Sequence, residues 1–115
     1  MSEGTESELK QVEISIEKAK KLIELGDALD RLRGNVYFKK LILDEYLKDY
    51  AVQMVKNMAS FGMQDERQQN FIKNELIAIG SLDQFFRYVS AEAYQARISM
   101  AADEETRSEI LKEEI

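Results

Sequence analysis

The chemistry open to this chain is limited by the side chains that it lacks. Its 115 residues contain no His, no Cys, no Pro and no Trp. Without His or Cys there is no imidazole base, thiolate nucleophile or zinc-finger ligand set, so triad hydrolysis and cysteine catalysis are excluded. Catalysis would have to rest on carboxylates, Lys or Tyr alone. We therefore predict that the protein is not an enzyme and that it uses no cofactor.

The carboxylates show no spacing that is typical of a catalytic or metal site. Asp44, Glu45 and Asp49 lie close together, but Lys40 and Lys48 each fall one helical turn from Asp44. A solvated, salt-bridged helix face is therefore the favoured interpretation. A di-metal site in a helical bundle takes Glu-x-x-His from two helices, which a chain without His cannot supply. All five glycines are isolated, so there is no Gly-rich phosphate loop, and we predict no metal site.

Aromatic side chains are the strongest candidates for recognition. Tyr37, Tyr46 and Tyr50, beside Phe38 and Leu47, make one predicted helix apolar on nearly all sides. A single small core cannot bury such a helix completely, and Tyr is enriched as an anchor at protein interfaces. Two interpretations follow. These tyrosines belong to the core, or Tyr37, Tyr46 and Tyr50 form a surface for a partner or for self-association.

Three segments have the periodicity of amphipathic helices, which we predict over residues 8–33, 36–59 and 65–101 because apolar residues recur every three or four positions. The first carries a near-heptad seam from Leu9 to Leu32. The buried face predicted for the second helix comprises Phe38, Leu41, Ile42, Leu47 (or Tyr46), Ala51, Met54, Val55 and Met58. The wide apolar stripe of the third comprises Phe71, Ile72, Leu76, Ile79, Leu82, Phe86 and Val89.

Several residues have the types expected at helix ends and close contacts. Gly26 lies inside the seam of the first helix, where we expect it to permit a close approach of another helix. Gly34 is expected to end this helix in the left-handed conformation, and Asn35 to cap the second. Asp65 is the predicted cap of the third helix. Gly80, followed by Ser81, marks a possible kink or close approach in that helix.

The fold predicted by these patterns is all-α. We expect a three-helix antiparallel elongated bundle, formed by a single domain over residues 8–102, with a disordered acidic N-terminus (1–7) and an acidic C-terminal tail (103–115). The whole net charge of −6 lies in these two ends, which carry −2 and −4. Because the body is neutral and finely mixed, we predict no nucleic-acid partner. No apolar run approaches the roughly 18–20 residues of a membrane span, so we predict no membrane partner.

Several stretches of the chain follow a family pattern that reads roughly A-L-x-R-L-x-x-N-P-x-F-K-K-L-I and then I-G-x-L-R-Q-Y-F. They are Ala28–Asn35, Phe38–Leu43 with Tyr46, Met63-Gln64, and Ala78–Leu82 with Gln84 and Phe85-Phe86. Over about residues 20–89 the chain thus resembles a family of small helical proteins of tailed bacteriophages. It departs from the family at Val36, which stands where the pattern has Pro, and around Phe61-Gly62, where a Pro before the Met-Gln pair is missing. It also departs at Asp83 and Phe85, which replace Arg and Tyr.

The resemblance implies a phage protein that acts in the host cytoplasm and is also a candidate component of the virion. The function expected from it is that of a non-enzymatic structural or assembly protein, such as a scaffold-like factor or a minor virion component. Its partners would be itself, as a homo-oligomer, or a phage head protein. The alternative is an early phage protein that binds and inhibits a host defence or transcription protein.

Overall fold

The computed structural model of the chain describes residues 2–113, which are helical almost throughout and include no β-strand. The first helix is Glu3–Arg33. The second helix is continuous and consists of three parts, Val36–Phe38, Lys39–Asp49 and Tyr50–Met58. A short 3₁₀ turn, Phe61–Met63, precedes the third helix, Glu66–Glu113. The prediction of an all-α protein with three main helices is confirmed.

The first helix begins earlier than its apolar pattern indicated, because it includes the N-terminal segment that was predicted to be disordered. Residues from Glu3 onward are helical. The hydroxyl of Ser2 accepts a hydrogen bond from the backbone N–H of Thr5 at 3.2 Å, in the manner of an N-cap. Glu3 and Glu6 lie in the first turn, where the helix dipole favours negative charge. Met1 lies outside the described residues.

The third helix continues to Glu113 and so includes most of the predicted acidic tail. Two contacts explain why helix formation continues there. The Ser15 hydroxyl donates a hydrogen bond of 2.5 Å to Oδ2 of Asp103, and Ile110 is buried with an exposed fraction of 7%. The segment predicted to be a tail therefore contains residues that pack and form hydrogen bonds, which its net charge alone does not indicate. Residues 114 and 115 lie outside the described range.

The link between the first two helices is made by Asn35. Its side-chain Oδ1 accepts hydrogen bonds from the backbone N–H groups of Tyr37 and Phe38 at 2.9 and 3.0 Å, which confirms the predicted cap. The expectation of a left-handed Gly34 is wrong, since no glycine among the described residues has a positive φ. Asn35 itself takes the extended backbone conformation that turns the chain, so the left-handed residue is not needed.

The middle of the second helix, Lys39–Asp49, is a π-helix in which backbone hydrogen bonds span five residues. The Tyr50 N–H bonds to the Glu45 carbonyl in this way. Side chains five apart are therefore neighbours, and Lys39 Nζ pairs with Asp44 Oδ2 at 2.9 Å. The sequence pattern placed Lys40 beside Asp44 because it assumed α-helical spacing. Asp44, Glu45 and Asp49 are all exposed.

The chain divides into two compact units, where a single domain over residues 8–102 was predicted. The terminal unit contains the chain up to Leu29 and from Val89 onward, and the central unit contains Asp30–Tyr88. In the terminal unit the first helix buries Ile16, Ala19, Gly26 and Leu29, and the third helix buries Val89, Ala93, Ala96 and Ile110.

Gly26 makes the closest approach in the terminal unit. A Cβ atom at this position would overlap the Cβ of Ala93 and would lie 3.8 Å from the Ala93 Cα. Nearby, Arg97 Nη2 donates to Asp27 Oδ1 at 2.8 Å across the same pair of helices. The predicted close helix contact at Gly26 is confirmed, and the residue opposite is the smallest that has a side chain.

The central unit buries Met54 of the second helix and Ile72, Ile79 and Phe86 of the third, the last three at intervals of seven. The ring of Phe38 meets that of Phe86 edge-on, with centroids 5.8 Å apart. At the start of the third helix, Asp65 Oδ1 accepts the Gln68 N–H at 2.9 Å, which confirms the predicted cap. Gly80 has no neighbour within 4 Å of a Cβ built on it, so it makes no close approach.

Candidate protein-interaction surface

The three candidate tyrosines lie in different environments. Tyr37, in the first turn of the second helix, is 74% exposed. Tyr46 and Tyr50 are partly buried, and their rings stack with centroids 5.8 Å apart and planes inclined by 16°. The structure therefore brings Tyr46 and Tyr50 together and leaves Tyr37 as the tyrosine of the set that is largely open to solvent.

Tyr50 also connects the second helix to the third. Its hydroxyl donates a hydrogen bond of 2.9 Å to Glu75 Oε2. This bond raises the pKa of Tyr50 above its ordinary value of 10.0, and partial burial and the negative charge of Glu75 raise it further. The bond is one of the polar ties inside the central unit, which gives Tyr50 a structural role alongside its stacking on Tyr46.

Replacing Tyr50 by Phe is expected to change how stability depends on pH. The folded chain holds the phenol neutral, so its pKa lies above that of the unfolded chain. The stabilisation is therefore complete below pH 10.0 and is lost as the pH rises through the elevated pKa. Denaturant unfolding should show Tyr50→Phe to be less stable than the unmodified chain at neutral pH, with the difference narrowing at alkaline pH.

The matched control is Tyr37→Phe, which removes the same hydroxyl from a residue that is 74% exposed and should have little effect on stability at neutral pH. A constant difference between Tyr50→Phe and the unmodified chain across the alkaline range would show that the Glu75 bond does not favour the neutral phenol.

Exposed apolar side chains are concentrated in the central unit. Among residues 2–113, five large apolar residues are exposed in the terminal unit, namely Ile14, Leu25, Tyr94, Ile98 and Leu111. The central unit, of similar length, exposes Leu32, Val36, Tyr37, Leu41, Val52, Val55, Phe61, Phe71, Ile77, Phe85 and Tyr88. Exposed apolar residues that adjoin one another in a patch mark surfaces that contact other molecules.

Several of these exposed residues were predicted to lie on buried faces, including Leu25 and Leu32 in the seam of the first helix, which are 54% and 42% exposed. Leu41 and Val55 of the second helix are 64% and 57% exposed, and Phe71 of the third is 56% exposed. Leu41 lies in the π-helical part, where the α-helical period no longer gives the face of a side chain. Phe71 lies beside the buried Ile72, and the contacts of the central unit cover only one of these two adjacent positions.

An open pocket of about 630 Å³ lies beside this surface in the central unit. It is lined by the apolar residues Met54, Met63, Phe71 and Ile72 and by the polar residues Asn57, Asp65, Arg67 and Gln68. Asp65 already caps the third helix. The lining of the pocket thus combines apolar and polar side chains, which include no pairing of a nucleophile with a general base.

Within residues 2–113, no group of three or more acidic side chains is placed so that it could hold a metal ion. Over the same residues, none of the helices combines the length and the apolar character that crossing a membrane requires.

Comparison of the chain with protein-family models, with curated proteins and with solved structures found no match in any of the three.

Proposed function

We propose that this protein is a non-enzymatic structural or assembly protein that acts through contacts of its helix faces with other protein chains. The observation that carries the proposal is the set of eleven large apolar side chains exposed in the central unit. One of them, Phe61, is completely exposed. Burial of such side chains against another protein removes apolar area from water, which is the main favourable term in association.

The packing within each unit supports this proposal. In the terminal unit residue 15 contacts 103 and residue 26 lies against 93. In the central unit residue 38 contacts 86 and residue 50 contacts 75. In each unit, a later residue of the first or second helix contacts an earlier residue of the third helix. We therefore infer that the third helix packs antiparallel to its neighbour. A helix in such a pair buries one stripe and leaves its other sides available to further chains.

The biological setting that we propose is the assembly of a tailed bacteriophage, as a scaffold-like factor or minor virion component. It is supported by the resemblance over residues 20–89. The protein would contact itself or a phage head protein in the host cytoplasm, through a surface that includes Tyr37. Tyr46 and Tyr50 would support that surface through their mutual stacking and the bond to Glu75.

This setting is tested by mass spectrometry of purified proheads and virions of the phage that encodes the protein, beside particles from a phage that lacks its gene. We expect the chain in proheads or in virions, and fewer or misassembled particles without it. Its absence from both particles, together with normal assembly of the deletion phage, would contradict the proposal.

A further inference from the structure

Between Asn70 and Tyr88, one side of the third helix carries no charge, and the exposed Arg67 precedes this stretch by one turn on the same side. Nine positions spaced three and four apart, all exposed, make up this uncharged face: Asn70, Phe71, Asn74, Ile77, Ala78, Ser81, Gln84, Phe85 and Tyr88. In a chain with 33% charged residues, an exposed helix face extending about 27 Å at 1.5 Å per residue would ordinarily carry several charges. Depletion of charge is the compositional mark of an interface core.

The apolar area of the uncharged face is sufficient for a specific contact. Phe71, Phe85 and Tyr88 are 56%, 55% and 57% exposed. With 150–250 Å² for each ring, these three expose roughly 250–400 Å². Ile77, which is 66% exposed, adds to this area. The five remaining positions are also exposed and contribute further toward the ~800 Å² per partner of a standard interface.

The order of the residues indicates which partner fits. Along its centre the uncharged face carries a seam with alternating steps of three and four: Phe71, Asn74, Ala78, Ser81, Phe85 and Tyr88. This is the spacing of a coiled-coil seam, and it lies on a different side of the helix from the buried Ile72, Ile79 and Phe86. The small residues are at the middle of the seam and the aromatic residues toward its ends.

A second, antiparallel copy of the same seam complements this order. If Ala78 meets Ser81 of the second copy, then Asn74 meets Phe85 and Phe71 meets Tyr88. Each contact is repeated in reverse, as a two-fold axis requires. The small central residues allow the two helices to approach closely, and an aromatic residue fills every outer layer. No charged residue is brought opposite another within the seam.

We propose that the uncharged face binds a second copy of this chain as an antiparallel two-fold dimer. The inference rests on the proposed function, because it assigns one of the helix-face contacts to self-association and names its residues.

Two variants test the dimer by sedimentation equilibrium of the full chain. Phe85→Asp places a charge in the seam, and Ser81→Arg places bulk and charge at its centre without removing an apolar contact within the subunit. We expect the unmodified chain to form a dimer, and each variant to raise the dimer dissociation constant at least about tenfold while its helical circular dichroism is kept. Tyr94→Asp, at an aromatic residue 62% exposed on the same helix, should dimerise normally.

Crosslinking tests the orientation of the two copies, and the absence of native Cys makes it unambiguous. Equal amounts of Phe71→Cys and Tyr88→Cys chains are mixed and oxidised. The antiparallel seam predicts disulfides between residues 71 and 88 of different copies. Two copies of residue 71 would be about 25 Å apart along the axis, whereas a disulfide needs Cα atoms within about 7 Å. Predominant 71–71 and 88–88 disulfides would overturn the antiparallel dimer.

A dimer that keeps its affinity in both Phe85→Asp and Ser81→Arg, or an unmodified chain that is a monomer, would also overturn the assignment of this face. Neither result removes the chain from phage particles, so the proposed function stands or falls separately on the composition of proheads and virions.

Discussion

Replacing Gly26 by Ala is expected to destabilise the protein, although Ala is the better helix former. The exchange gains about 1 kcal/mol of helix propensity. The added Cβ, however, overlaps the Cβ of Ala93, which is attached directly to backbone and cannot rotate away. Overpacking of this kind lowers the free energy of unfolding by about 1–3 kcal/mol, which opposes the gain in helix propensity. We expect a net loss in the free energy of unfolding of up to about 2 kcal/mol, measured by denaturant unfolding.

The control for Gly26→Ala is the same exchange at Gly80, where a Cβ meets nothing within 4 Å. Gly80→Ala should raise stability by about 0.5–1 kcal/mol, so the two variants should differ in sign. Adding Ala93→Gly to Gly26→Ala should restore the lost space. If Gly26→Ala stabilises the chain as much as Gly80→Ala does, the two helices are not in close contact at residue 26.

Truncation of Ile16 is expected to have a still larger effect. This side chain is 2% exposed in the core of the terminal unit. Ile16→Ala removes buried methyl groups and leaves a cavity, for which about 2–5 kcal/mol is typical. Domains of this size have a total stability of about 5–15 kcal/mol, so thermal unfolding monitored by circular dichroism should show a much lower midpoint.

Ile14→Ala is the matched control for Ile16→Ala, since Ile14 lies two residues away on the same helix and is 47% exposed. The two exchanges have the same helix-propensity term, and the exposed one should change stability by about 0.5 kcal/mol or less. Equal losses at the two positions would mean that the first helix turns a different face to the core.

Local signals in the sequence were sufficient to predict the helices and several of their ends. Asn35 and Asp65 cap helices because a short polar side chain can bond nearby backbone N–H groups, whatever surrounds it. Gly26 was identified as a close contact because a glycine inside an apolar seam has few other uses. These features depend on a few neighbouring residues, so the chain alone determines them.

Features that depend on other parts of the structure could not be read in this way. The π-helix at Lys39–Asp49 changes which side chains are neighbours, and no residue type in this segment predicts a π-helix. Phe71 and Ile72 are adjacent and both apolar, yet only Ile72 is buried, because the number of packed helices decides how wide a stripe is covered. The uncharged face of the third helix is visible in the sequence as a series of uncharged positions three and four apart. That series indicates a contact surface only when these positions are known to be exposed.

The most direct test of a protein that works through helix-face contacts with other chains is sedimentation equilibrium of the unmodified chain over a wide range of concentrations. The exposed apolar side chains of the central unit predict an average mass that rises above the 13.3 kDa of one chain to at least twice that value. A mass of 13.3 kDa at every concentration would contradict self-association through these faces.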